Sequence, residues 1–265
     1  MCGAGVLPAR MAEEARRQGW RVVAFAFGDA PGLDEHADLT VPSRITEIGP
    51  VLAALQRERV SAALFSGKFW LGDVLKTAGS DAAGEAIAAQ AGALTDGSLA
   101  TVVVDTLGAL GVEVLDQRGF VGDRLTGRGV LGERTPSDAE WSDVRSGLVV
   151  ARMCADAAIG QTAVVKRGVV TAVEALEGTS ATIQRGGELA GRGAVAVKAV
   201  ARRHDYRFDT PTIGVETIAA AAAVDIRVVA VEAGRVLVMD RAATASAADR
   251  AGIALVAVDD SDLAG

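Results

Sequence analysis

The chain has 265 residues, 50% of them hydrophobic, and 34 acidic residues against 27 Lys and Arg give it a net charge of −7. That is enough apolar material for one large domain or two smaller ones, and the acidic balance leaves no global basic footprint for a nucleic-acid partner. Aromatic residues make up only 4%, so the core must be built from Ala, Val, Leu and Ile, a composition suited to α/β layers with parallel strands covered on both faces.

The chain opens on the glycine turn Gly3-Ala4-Gly5-Val6-Leu7-Pro8, followed by a helical pattern over 9–18 that Gly19 stops. Such a turn normally follows a strand, and no residues precede it that would form one, so the expected first strand is either missing or lies upstream of the given start. A Val- and Phe-rich strand is predicted over 21–27, a helix over 45–57, and a buried strand over 62–65 that ends at Ser66-Gly67-Lys68. Residues 77–98 are small and rich in Gly and Ala, with a cap or turn at Thr95-Asp96-Gly97-Ser98; a helix over 98–110 and a short strand over 112–115 follow. The segment 116–136 carries five glycines and reads as a functional connection.

Ser137, with Glu140 three residues on, is the signature of a capping box, and starts a helix that runs past Ala151. A domain boundary is placed near residue 135, giving domains 1–134 and 135–265. The second half is richer in strands: a hairpin over 162–166 and 169–175 turning at Arg167-Gly168, then strands over 194–200, 227–232, 235–239 and 254–258. A helix or turn is expected from Gly178-Thr179, and helices over 217–223 and over 242–251. The alternation of strand, turn and helix predicts an open sheet with parallel strands.

Cys2 and Cys154 are too few for a disulfide framework, which points to a reducing cytosol. The N-terminus lacks the basic-then-apolar pattern of a signal peptide. The longest apolar stretches, such as 217–224, fall well short of the roughly 20 residues that a membrane span needs, so any membrane contact is expected to be peripheral.

Chemistry concentrates in two segments. In Arg207-Phe208-Asp209-Thr210-Pro211-Thr212-Ile213-Gly214 a carboxylate sits near a guanidinium on a backbone stiffened by proline and relaxed by glycine. Asp209 suits a hard cation or a water, Thr212 adds a hydroxyl, and the competing reading is that Asp209 caps a helix starting near Pro211. In Val173-Glu174-Ala175-Leu176-Glu177-Gly178-Thr179, a helix starting at Gly178-Thr179 would turn backbone N–H groups toward an anion, unless it is an ordinary turn. Glu174 and Glu177 are three apart, so in a strand only one of them faces a site. Lys198, Arg202, Arg203 and Arg207 are the cations placed to clamp phosphate, or form a solvated charged edge. Gly3 and Gly5 make only a fragment of a dinucleotide fingerprint, because Pro8 stands at the third glycine, so a nicotinamide-dependent oxidoreductase is a weak rival.

Taken together, Gly3-x-Gly5-x-Leu7-Pro8, Gly67-Lys68, Ile159-Gly160-Gln161, the Glu174-to-Thr179 run, Arg207-x-Asp209-x-Pro211-Thr212-Ile213-Gly214 and Val231-Glu232-Ala233-Gly234 resemble the LpxI-type UDP-2,3-diacylglucosamine diphosphatase family of lipid A synthesis. The resemblance spans nearly the whole chain. It implies a Rossmann-like parallel-sheet N-terminal domain, a C-terminal catalytic α/β domain with a mixed sheet, and a homodimer at the cytoplasmic face of the inner membrane. The implied reaction is Mg²⁺-dependent hydrolysis of a lipid-linked UDP-sugar to UMP and 2,3-diacylglucosamine 1-phosphate, with water attacking the phosphorus that bears the sugar. Asp209 matches the family's essential aspartate, at the metal or the water. Gly3, Gly5, Gly67, Lys68, Glu177, Gly178, Thr179, Lys198, Arg207 and Thr212 are the implied substrate contacts. The family's Lys-Pro-x-Gln-Asp before the Arg-x-Asp motif is replaced by Ala201-Arg202-Arg203-His204-Asp205. That departure motivates a second reading, a binding protein for a nucleotide-sugar or lipid phosphate without turnover.

Overall fold

The structure is a computed structural model and describes residues 1–69, 80–91, 96–122 and 125–264; of the turn expected at 95–98, Thr95 lies outside them. The chain forms two compact units, one of Met1–Gly122 with Asp205–Asp209 and the other of Asp123–His204 with Thr210–Gly265. The division after Gly122, rather than near 135, has a cause in the sheet. Strand β5 (Gly129–Val130) pairs antiparallel with the last strand, β12 (Ala254–Val258), so the part of the glycine-rich connection beyond Gly122 already belongs to the second unit.

The first unit carries helices α1 (Leu7–Arg17), α2 (Leu33–His36), α3 (Ile48–Arg57), α4 (Ala82–Ala91) and α5 (Asp96–Ala109) around short strands β1 (Val23–Ala26), β2 (Leu39–Pro42), β3 (Ala62–Ala63) and β4 (Glu113–Val114). β1 pairs parallel with β2, and β3 parallel with β4. Cys2 bridges Ala26 on one side and Ser66 on the other, both in parallel. The expected gap before the glycine turn is thereby corrected, since residues 1–4 themselves lie where a first strand would. Gly19 ends α1 as predicted, in a left-handed conformation (φ 89°) with its N–H on the Arg16 carbonyl at 2.9 Å. α2, β2 and α4 were not legible in the sequence: β2 is four residues ending in Pro42, and α4 is a Gly/Ala-rich run without a clear apolar stripe. The core of this unit gathers Phe25, Val51, Leu55, Leu107 and Val112.

The second unit is built on a six-stranded mixed sheet in the order β5-β12-β10-β8-β6-β7, using β6 (Thr162–Lys166), β7 (Val169–Val173), β8 (Val195–Lys198) and β10 (Val228–Glu232). β8, β10 and β12 run parallel; β6 pairs antiparallel with both β7 and β8. The predicted hairpin turn is made by Arg167 and Gly168, both at positive φ, and Asp143 fixes it by accepting from their N–H groups at 2.8 and 2.7 Å. β8, β10 and β12 are buried throughout, as Val/Ala/Leu runs require of central parallel strands, with Lys198 and Glu232 buried at the ends of β8 and β10.

Helix α6 (Asp138–Asp156) starts in the predicted Ser137/Glu140 capping box and packs Val144, Leu148 and Ala151 on the sheet. Helix α7 (Thr179–Ala190) approaches closely through Gly186, where a Cβ would lie 2.6 Å from the Val164 Cβ. α8 (Val215–Ala223) and α9 (Arg241–Arg250) complete the unit. One expected strand changes place. Instead of a five-residue strand over 235–239, only β11 (Leu237–Val238) forms, paired with β9 (Thr212–Ile213) in a separate ladder. Its first expected residue, Arg235, is turned to the Glu232 carboxylate at 3.1 Å instead.

Candidate functional site

β7 ends at Val173, and the chain then makes a tight exit into α7. Gly178 is the N-cap residue at φ 83°, ψ 167°, a region that favours glycine. The open question of which glutamate turns inward has a plain answer. Glu177 is exposed, accepts from the Ala175 N–H at 3.1 Å and pairs with Arg185, whose guanidinium holds its carboxyl below the usual carboxylate range. Glu174 is buried at 8% exposure and accepts from the Thr179 hydroxyl at 3.0 Å and, more weakly, from the Gln161 N–H at 3.3 Å.

Lys198, at the end of β8, is also buried at 8% exposure, and its Nζ donates to Thr179 Oγ1 at 2.6 Å. Thr162 stands directly opposite Lys198 in the antiparallel ladder, so the two share a sheet face. The buried Thr162 hydroxyl makes no hydrogen bond. The first-turn N–H groups of Thr179, Ser180 and Ala181 have no carbonyl of their own helix to meet, the first turn bond being Thr182 N–H to Gly178 O at 3.1 Å. A glycine-capped helix start, a buried ammonium and an unpaired hydroxyl are thus brought together, and in chemistry they suit a phosphoryl group. The structure thus brings Gly178, Thr179 and Lys198 together. The spacing of Glu174 and Glu177 left one of them facing a site, and Glu177, the one taken as a substrate contact, is the exposed one.

In the first unit Gly3, Gly67 and Lys68 also meet, through backbone. Ala4 N–H donates to Lys68 O at 3.0 Å and Lys68 N–H to Ala4 O at 2.8 Å. A Cβ on Gly3 would lie 2.4 Å from Lys68 O, and one on Gly67 (φ 83°) 2.8 Å from Ala4 O and Gly3 O. The close approach of the two loops therefore already accounts for both glycines. Gly5 (φ 104°) donates its N–H to Asp29 O at 2.9 Å, and Lys68 is exposed.

Asp209 belongs to the 205–209 segment that returns to the first unit. The segment is fastened there at several points. Gln117 N–H donates to Tyr206 O at 3.0 Å, the Arg118 guanidinium lies 4.4 Å over the Tyr206 ring, and the Phe208 ring is 5.0 Å from Phe65. Asp209 follows these anchors and is exposed. It does not cap a helix at Pro211: residues 212–213 are strand, and α8 begins at Val215 with Gly214 as its N-cap. Thr212 donates its hydroxyl to Thr210 O at 2.6 Å. Arg207 is held by both oxygens of Asp205, at 3.0 and 2.7 Å, which raises its pKa. Arg202 pairs with Asp156 at 3.1 Å. The four cations are therefore not one clamp, because two of them have carboxylates of their own and Lys198 is buried. Among the described residues no group of three or more His, Cys, Asp or Glu side chains gathers to hold a metal.

The fold defines an α/β protein whose second unit sets a glycine-capped helix start beside a buried ammonium. Sequence models of two domains fit the chain, the LpxI N-terminal domain over residues 1–124 and the LpxI C-terminal domain over 127–256. The chain therefore belongs to the LpxI family. It is 34% identical to the UDP-2,3-diacylglucosamine pyrophosphatase LpxI of Caulobacter vibrioides, a match covering 98% of this chain and 96% of that protein.

Proposed function

We propose that this chain hydrolyses the pyrophosphate of UDP-2,3-diacylglucosamine. The observation that carries the reading is the match to a pyrophosphatase over 98% of the chain; the anion-suited start of α7 agrees with it. A water oxygen bonds to the sugar-bearing phosphorus and the bridging oxygen leaves on UMP, giving 2,3-diacylglucosamine 1-phosphate. Negative charge spreads over the phosphoryl oxygens, so N–H groups of α7 and the Lys198 ammonium are the protein's stabilisers.

Asp209 is the carboxylate we assign to the metal or the water. Mg²⁺ is commonly held by one or two carboxylates together with substrate phosphates, so a single exposed Asp209 fits that mode. When bound, the ion supplies positive charge to the phosphoryl oxygens. The parallel order β2-β1-(1–4)-β3-β4 supports reading the first unit as Rossmann-like. No helix among the described residues is long and apolar enough to cross a membrane, and the two acyl chains of the substrate call for peripheral contact with the inner membrane. We assign a homodimer on the family resemblance alone.

The deciding assay supplies the lipid-linked nucleotide with Mg²⁺ and follows UMP. The wild type is expected to release it, a chelator to stop the release, and Asp209→Ala to lose it while unfolding at the wild-type temperature. Full activity in Asp209→Ala would overturn the assignment of that residue. A second reading, binding without turnover, is favoured by the carboxylate partners already taken up by Arg202 and Arg207. Tight binding of the substrate with no UMP formed would establish it.

A further inference from the structure

Glu174 is the carboxylate hydrogen-bonded to Thr179 at the start of α7, and the reaction gives it no part. We propose that Glu174 is a positioning residue, which acts through Thr179 to aim the Lys198 ammonium at the start of α7. The inference rests on the reading of Thr179 and Lys198 as phosphate contacts and gives that site the part it lacks.

The direction of each hydrogen bond is forced by chemistry. An ammonium only donates, so Thr179 Oγ1 must accept from Lys198 Nζ, at 2.6 Å. The single hydroxyl proton of Thr179 then goes to Glu174 Oε1, at 3.0 Å. Glu174 thus fixes the hydroxyl rotor with a lone pair toward lysine. One of three ammonium hydrogens is consumed in this way, and the other two are left for a ligand.

Glu174 is itself held in place. Gln161 N–H donates to its second oxygen at 3.3 Å, and its own N–H donates to Thr162 O at 2.8 Å. Gly160 leaves room for it, because a Cβ there would lie 2.2 Å from Glu174 O and 2.9 Å from Glu174 Cβ. The Ile159-Gly160-Gln161 motif, which the reaction itself leaves without a role, is therefore the seat of this carboxylate.

Simple electrostatics opposes this positioning effect, so the two can be told apart. If Glu174 mattered only as a negative charge beside an anion site, removing it would tighten anion binding. If it positions Lys198, removing it weakens binding. The test measures inorganic pyrophosphate binding by calorimetry, and kcat and KM for UMP release, in the wild type, Glu174→Ala, Thr179→Val, Thr179→Ser and the Glu174→Ala/Thr179→Val double variant.

Glu174→Ala and Thr179→Val are each expected to weaken pyrophosphate binding about tenfold, the loss of one charge-assisted hydrogen bond, and to lower kcat/KM at least as much, with kcat falling too because Lys198 also stabilises the transition state. The double variant should be no worse than either single one, and Thr179→Ser should bind like the wild type. Unchanged or tighter binding in Glu174→Ala, or additive losses in the double variant, overturns the proposal. So does a wild type that binds no pyrophosphate. If Glu174→Ala does not fold, Thr179→Val with its serine rescue decides in its place: unaltered binding in Thr179→Val refutes the positioning route. A wild type that binds pyrophosphate through this route but releases no UMP sinks the hydrolase reading and leaves this one standing.

Discussion

Gly160 and Gly67 show how much a single missing side chain can settle. Gly160 has no unusual backbone angle that demands glycine; it is small because the Glu174 backbone passes through the volume of its absent Cβ. Backbone cannot yield as a flexible side-chain tip can. Gly160→Ala should therefore destabilise the second unit by roughly 1–3 kcal/mol, read as a lower melting temperature, and should also weaken pyrophosphate binding by displacing Glu174. At Gly67 the left-handed φ and the Ala4 and Gly3 carbonyls act together. Read as a ligand loop in the sequence, that glycine is accounted for by the joining of two turns, a cause invisible until the chain is folded. Asp209 is the reverse case: the run Asp209-Thr210-Pro211 suits a helix cap, and only the folded chain shows the helix starting at Val215 instead.

Elements with strong local signals formed where they were expected. The capping box of α6 is complete: the Glu140 carboxylate accepts from the Ser137 N–H at 2.8 Å and pairs with Arg134 at 2.6 Å. Burial pushes the Glu140 carboxyl up, but the Ser137 N–H and the Arg134 guanidinium outweigh it and hold it below its ordinary value. A depressed folded pKa means that stability is present above the unfolded carboxylate value of about 4.3 and lost as pH falls through the folded value. Glu140→Gln should thus cost about 1 kcal/mol at pH 7, and urea unfolding repeated at falling pH should show the gap to the wild type closing below that range. A gap independent of pH would refute the ionic part of the cap. Elements with weak local signals were missed or misplaced: β2 is too short, α4 has no apolar stripe, and β11 joins β9 because Arg235 is recruited by the buried Glu232.

At the scale of the whole molecule, the notable feature is that 205–209 leaves the second unit to fold with the first. Phe208 packs against the first unit's core beside Phe65. Its loss should be felt in the first unit, and not in the second-unit residues that flank 205–209 in sequence. Phe208→Ala should cost about 2 kcal/mol for a partly buried ring. Hydrogen exchange should report the lost protection around β3 and the Gln117–Phe120 turn while β8 and β10 stay protected. Equal loss in both units would show that the segment does not belong where its contacts place it.

Composition, periodicity and capping residues by themselves determined the α/β class, the Val-rich central strands, the 167–168 hairpin and the start of α6, because each depends on residues a few positions apart. The resemblance in motif order determined the family. Only the tertiary structure decided which of two glutamates faces inward, that residues 1–4 lie between two strands, and that Arg207 is already matched by Asp205. It also decided that Lys198, Thr179, Glu174 and Gly160 form one connected group. Those outcomes depend on hydrogen bonds and close contacts between residues that only folding brings together, and no local pattern encodes them.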